Sequence, residues 1–213
     1  MSCIGANRTT SSRAHRVLEL FAGVGGFRVG LEAAKRQLPP GASSGYKVVW
    51  ANQWEPGATK QNAARVYEAR WGDAPVNRNL FDVLGDAEEM ARVHAVAPTM
   101  LVAGFPCQDY SVAKPASQSA GIEGKKGVLW WAIHALLQAR IDAGQPLEVL
   151  LLENVDRLLA SPVACPGRDS AVILGSLQAL GYAAAWQVVN AADYGYPQRR
   201  RRAVSHAASR SWS

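Results

Sequence analysis

The chain has 213 residues, 48% of them hydrophobic, with 23 Lys and Arg against 17 Asp and Glu and a formal net charge of +6. That is enough apolar material for one full core, and the basic balance suits a polyanionic partner such as nucleic acid. Three cysteines, Cys3, Cys107 and Cys165, are too scattered for a disulfide framework or a zinc site, so no metal is expected; no run reaches the ~18 apolar residues that span a bilayer, and no apolar signal core opens the chain, which reads as a cytoplasmic protein.

Residues Met1 to Ala14 are rich in Ser, Thr and Arg without periodicity and read as a mobile leader. Val17 to Phe21 is a short strand, followed by a glycine-rich turn, Ala22 to Phe27, that opens onto a helix to about Gln37. After a loop from Leu38 to Gly45, Tyr46 to Asn52 is a second strand and Gly57 to Trp71 a helix. A third short strand is expected at Val76 to Leu80, a helix at Asp86 to Ala97 and a fourth strand at Thr99 to Ala103. A Ser-, Gly- and Lys-rich connection, Lys114 to Lys126, leads to a helix from Gly127 to Ala143 and to the most apolar strand, Leu147 to Leu152. Beyond the loop Ser161 to Gly167, a helix runs to about Leu180, Gly181 ends it, and Ala184 to Val189 is a sixth strand. Such alternation implies an α/β fold, a mainly parallel sheet with helices on both faces.

Chemistry concentrates where apolar strands end. Cys107 lies in Gly104-Phe105-Pro106-Cys107-Gln108-Asp109-Tyr110-Ser111, on a polar loop directly after a buried strand, and thiolate is an intrinsically strong nucleophile. Gly23-x-Gly25-Gly26 lets a ligand approach backbone at a helix N-terminus; Arg28 in the sixth position departs from the dinucleotide fingerprint, which disfavours NAD and leaves a nucleoside such as S-adenosylmethionine open. At the end of the second strand Gln53, Trp54 and Glu55 are placed to meet ribose hydroxyls. Glu153, ending the most apolar strand, is expected to be partly desolvated and to hold a proton near neutral pH. The run Arg199 to Arg202 alone reads as a phosphate-binding or solvated patch.

The order of these motifs resembles the cytosine-5 DNA methyltransferases: Phe21-Ala22-Gly23-x-Gly25-Gly26, Gly-Phe-Pro-Cys107-Gln, Gly127-Val128-Leu129-Trp130, Glu153-Asn154-Val155, and Gln198-x-Arg200-x-Arg202 after Asp193-Tyr194-Gly195-Tyr196-Pro197. The resemblance implies a Rossmann-like S-adenosylmethionine-dependent methyltransferase fold and transfer of methyl to carbon 5 of cytosine in DNA, as in restriction–modification systems. By that resemblance Cys107 attacks carbon 6, Glu153 contacts the ring nitrogen, Arg202 the carbonyl, and Arg200 organises the catalytic loop, leaving Arg199 and Arg201 for phosphate or water. The cofactor would meet Phe21, Gly23, Gly25, Gly26, Trp54, Leu80, Pro106 and Leu129. The family's ribose-binding glutamate falls on Gln53, with Glu55 as its alternative, and its acidic residue near adenine falls on Asn79. Residues 15–202 are then the catalytic domain. Residues 203–213 read as an atypical tail where an apolar strand and a target-recognition domain are expected, which implies a truncated remnant or a split enzyme completed by a second chain. A non-catalytic nucleoside- or DNA-binding module and an RNA cytosine methyltransferase are the alternatives.

Overall fold

In a computed structural model that describes residues 14–36, 45–105 and 128–209, strands β1 (His15–Leu20), β2 (Tyr46–Asn52), β3 (Met100–Gly104), β4 (Val149–Val155), β5 (Tyr182–Asn190) and β6 (Arg201–Ser209) form one sheet. Its order is β2-β1-β3-β4-β6-β5. The first four strands are parallel, and β6 lies antiparallel to both β4 and β5. Helices α1 (Gly26–Arg36), α2 (Asn62–Trp71), α3 (Leu80–Leu84), α4 (Ala87–Ala95), α5 (Val128–Asp142) and α6 (Arg168–Ala179) pack around it.

Strand side chains alternate between faces, and the core divides accordingly. On one face Leu18, Leu20, Leu101, Ala103, Leu150 and Leu152 meet Val83, Met90, Val93, Ile133, Leu136 and Leu177 from α3, α4, α5 and α6. On the other, Val17, Met100 and Val102 meet Leu31 and Phe27 of α1, while Tyr67 of α2 packs on Ala22 and Ala51. Helices therefore cover both faces, as the alternation predicts. Among the described residues no helix is long and apolar enough to cross a membrane.

Three expectations change. The strand expected at Val76 to Leu80 is a single bridge, Asn52 to Val76, after which the Asn79 side chain accepts from the Phe81 amide and starts α3. Cap chemistry at Asn79, with Leu80 and Val83 three apart on one buried face, outweighs the local strand pattern. The helix expected from Gly57 begins only at Asn62, because the Gln61 side chain binds the backbone of Glu55 and Ala58 and holds that stretch as a loop. The supposed tail is, over Ala203 to Ser209, the body of β6, hydrogen-bonded to β4 on one side and β5 on the other. Its buried members are the small Ala203 and Ala207, so the strand carries little hydropathy, and ladder pairing on both sides defines it.

Below the sheet, Arg140 near the end of α5 is only 2% exposed, with Nη1 donating to Gln145 Oε1 at 2.7 Å and sharing a 2.8 Å contact with His94 Nδ1, while its Nε finds no partner. Burial pushes its guanidinium pKa down. The partial negative charge at the C-terminal ends of α4 and α5 lies on the same side as this cation and offsets some of that cost. Arg140→Met, which keeps the stem and removes the buried charge, is expected to stay within about 1 kcal/mol of the parent in urea unfolding. Arg140→Ala, which leaves a cavity, is expected to lose about 2–4 kcal/mol.

Candidate functional site

Parallel strands deliver their carboxyl ends to one edge, and β1 and β3 diverge there to opposite neighbours, the crevice where open α/β sheets bind ligands. The glycine turn leaves β1 at Phe21, whose φ of 52° already lies in the left-handed region. Two contacts lock the turn to β2: the Ala22 amide donates to Asn52 O at 3.0 Å, and the Gly23 amide donates to Gln53 Oε1 at 2.7 Å. Gln53 is buried, and its backbone carbonyl accepts from Asn77 Nδ2 at 2.6 Å. Trp54 is 37% exposed beside it, and the half-buried Glu55 is held only through its backbone, leaving its carboxyl group out of those bonds. Space over Gly23 and Gly26 is open, since a Cβ built on either meets nothing within 4 Å.

Across the crevice, β4 brings Glu153 level with Gly104 of β3, and the missing Gly104 side chain makes room for the carboxyl group: a Cβ there would lie 3.3 Å from Glu153 Oε2. Antiparallel pairing sets Arg202 opposite Val155, and its Nε reaches Glu153 Oε1 at 2.6 Å, a charge-assisted contact between residues far apart in sequence. Arg202 Nη1 donates to Arg201 O at 2.8 Å. The Glu153 side chain is 30% exposed at the end of β4, where it is paired with an arginine that the sequence alone does not place against it. Phe105, buried and 6.0 Å from the Trp130 ring, anchors the start of the segment that carries Cys107. Cys107 and Pro106 lie outside the described residues.

A sequence profile described as C-5 cytosine-specific DNA methylase matches residues 15–211. The chain belongs to that family. It is 48% identical over 187 residues to the type II methyltransferase M.Sau3AI of Staphylococcus aureus, covering 88% of this chain and 42% of the relative. It is 31% identical over 187 residues to M.HhaI of Haemophilus parahaemolyticus, again 88% of this chain and 47% of the relative. The chain thus spans under half the length of these two relatives. Among solved structures, the S. pombe Dnmt2 methyltransferase superposes with a TM-score of 0.61 at 19% identity over 92% of this chain and 50% of that one. The Entamoeba histolytica methyltransferase EhMeth gives 0.63 at 16%, over 92% and 53%. Both share the fold.

Within this methylase fold the remaining residues named from sequence fall in different places. Leu129 is half-buried near the start of α5. Leu80 is 2% exposed inside the core, and Asn79 uses its side-chain oxygen as the α3 cap. Arg200 is exposed, and Arg201, expected to face phosphate or water, binds Asp156 at 3.2 Å. Local composition around β1 hides a second polar cluster: Glu19, fully buried, accepts from the Arg28 amide at 3.2 Å and from the Tyr67 hydroxyl at 2.9 Å. Arg28 Nη1 donates to that hydroxyl at 3.1 Å, and its guanidinium stacks on Trp71, 4.9 Å from the ring centre. A carboxylate inside an apolar strand, Val17-Leu18-Glu19-Leu20, was the available signal. The cluster braces the glycine turn from behind, with the Trp71 ring filling the place where a Gly25 side chain would go.

Gly25 has φ +82° and a built Cβ would lie 2.1 Å from Trp71 Cη2, so Gly25→Ala is expected to lose about 2–4 kcal/mol in chemical denaturation. Gly26→Ala meets open space at an ordinary helix start and is expected to hold or gain up to about 1 kcal/mol. Burial raises the Glu19 pKa above the usual carboxylate range, against the lowering pull of the Tyr67 hydroxyl and Arg28. A carboxyl group whose folded pKa is raised stabilises the fold below its unfolded pKa, and that contribution is lost as pH rises through the folded value. Urea midpoints of the wild type should therefore carry a downward component from about pH 4.5 upward that Glu19→Gln lacks; parallel pH profiles for the two proteins would refute this.

Proposed function

We propose that the chain transfers a methyl group from S-adenosylmethionine to carbon 5 of cytosine in DNA, in the manner of a type II modification enzyme. The observation that carries the reading is the Glu153–Arg202 pair at 2.6 Å, set beside the strand end from which the Cys107 segment departs. One acid and one cation at the same edge match a pyrimidine, which offers a ring nitrogen next to a carbonyl oxygen.

The cofactor supplies an electrophilic methyl on sulfur. The fit of this chain to it rests on the open floor over Gly23 and Gly26, the exposed face of Trp54 and the polar ends of Gln53 and Glu55, with Phe21 and Leu129 as apolar walls. Gln53 holds the turn through its oxygen and keeps its amide nitrogen for a ribose hydroxyl, whereas Glu55 offers a carboxylate acceptor. Leu80 and Asn79 act from behind this wall through packing and capping.

Carbon 5 of cytosine is too weak a nucleophile to take the methyl directly. The Cys107 thiolate adds to carbon 6 and forms a C–S bond, while Glu153 stabilises or protonates the ring nitrogen and Arg202 polarises the carbonyl oxygen. The electron pair now at carbon 5 would form the new C–CH3 bond as the S–CH3 bond breaks and its electrons return to sulfur, leaving a neutral thioether. Loss of the carbon 5 proton then expels the Cys107 sulfur as thiolate and restores the ring. The target atom is inaccessible inside stacked duplex DNA, so the base is turned out into the crevice.

Incubation with S-adenosylmethionine and DNA carrying 5-fluorocytosine, which has no carbon 5 proton to lose, is expected to leave the wild-type chain covalently attached, and Cys107→Ser free. Equal attachment by the variant would remove Cys107 from the chemistry. Because this chain covers 42% and 47% of those relatives, the assay is run on the chain alone and with added polypeptides matching their uncovered part. Activity only in the mixture would identify a second chain as a partner.

A further inference from the structure

The connection between β5 and β6 does more than deliver Arg202. Residues 191–200 close on themselves: the Ala191 amide donates to Arg200 O at 3.0 Å, the Tyr196 amide to Ala191 O at 3.2 Å, and the Gly195 amide to Ala192 O at 3.2 Å. Asn190 caps the segment, accepting from the Ala192 amide and donating to Asp193 Oδ1 at 3.1 Å. Two further bonds, Gln198 amide to Tyr196 O at 2.8 Å and Arg200 amide to Gln198 O at 3.0 Å, fold three-residue turns whose apices are Pro197 and Arg199. Five backbone amides of this loop thus bond to carbonyls within it.

What it displays is unusual for a surface so well ordered. Tyr194 is 66% exposed and Tyr196 67%, the most exposed large hydrophobic side chains among the described residues, and the exposed Arg199 follows them. The neighbouring Arg201 and Arg202 are neutralised by Asp156 and Glu153, so the unspent positive charge of the run lies with Arg199 and Arg200. Large aromatic faces held out in water beside a cation mark a recognition surface. The ligand that offers a flat π-face and a phosphate within one repeating unit is a nucleotide, and aromatic stacking with an arginine on phosphate is the general chemistry of binding unpaired nucleic-acid bases.

We infer that Tyr194 and Tyr196 stack on an unpaired nucleotide of the DNA next to the target cytosine and that Arg199 binds its phosphate, making this loop the surface that holds DNA opened at the crevice. The inference rests on the proposed DNA methyl transfer and adds to it the residues that stabilise the opened strand. The loop stands at the right edge for this, because β5 and β6 meet it where Asn190 and Arg201 pair, one residue before Arg202, whose side chain reaches Glu153.

Fluorescence anisotropy with labelled DNA across a range of salt concentrations tests it, using the full chain and two probes, a fully paired duplex and the same duplex with one mismatched cytosine. The double variant Tyr194→Ala, Tyr196→Ala is expected to bind the mismatched duplex about tenfold more weakly, with a smaller loss on the paired duplex and an unchanged salt slope. The double phenylalanine variant keeps both rings and is expected to bind within about twofold of the parent. Arg199→Gln is expected to reduce the slope of log affinity against log salt by about 1 on either probe. Parent-like binding by the alanine variant, equal losses on the two duplexes, failure of the phenylalanine variant, or no DNA binding by the parent would each overturn the inference. Loop-dependent binding without covalent attachment to 5-fluorocytosine DNA would instead sink the methyl-transfer reading and leave the DNA-holding surface standing.

Discussion

The arrangement at the crevice depends on β4 having a parallel neighbour on one side and an antiparallel one on the other. Parallel pairing with β3 brings Glu153 level with Gly104, where the absent side chain leaves room for a carboxyl group. Antiparallel pairing with β6 sends Arg202 back toward the same edge, and the 2.6 Å contact between the two side chains closes the arrangement. A parallel β6 would carry Arg202 to the opposite end of the sheet, some 20 Å away at about 3.3 Å per residue. The two side chains are 23% and 30% exposed, and the consequence of their contact is positional.

Behind the other half of the crevice stands a different kind of constraint. The glycine turn is fixed in front by Gln53 on the Gly23 amide and behind by Trp71 against Gly25, with Glu19, Tyr67 and Arg28 joined beneath it. Burying Glu19 carries a desolvation cost, visible in its raised pKa, and that cost falls under the turn. The same side chain accepts an amide from the first turn of α1, where the helix end favours negative charge. A ligand approaching the open space over Gly23 and Gly26 therefore meets backbone that is already set.

Polar chemistry gathers at the edge where strands β1, β3 and β4 end and the β5–β6 connection returns, and the opposite edge holds a buried arginine supported by helix ends. The β5–β6 loop belongs to the first group, and its internally bonded backbone explains how two tyrosines stay exposed without being loose. Crevice, acid–cation pair and aromatic loop are thus neighbours because one sheet edge generates all three.

Sequence alone determined the family, the alternation of strands and helices and most of the residues at the crevice, because glycine turns, strand-ending carboxylates and an ordered arginine pattern are local signals. It misread Val76 to Leu80, where Asn79 caps a helix, and Ala203 to Ser209, where small residues carry no strand hydropathy but pair on both sides. It did not single out Glu19, a fully buried carboxyl group under the glycine turn. Which acids are fully buried, and which arginine meets which carboxylate, depends on neighbours that are distant in sequence. Burial and ion pairing are properties of that packing, and only the tertiary structure decided them.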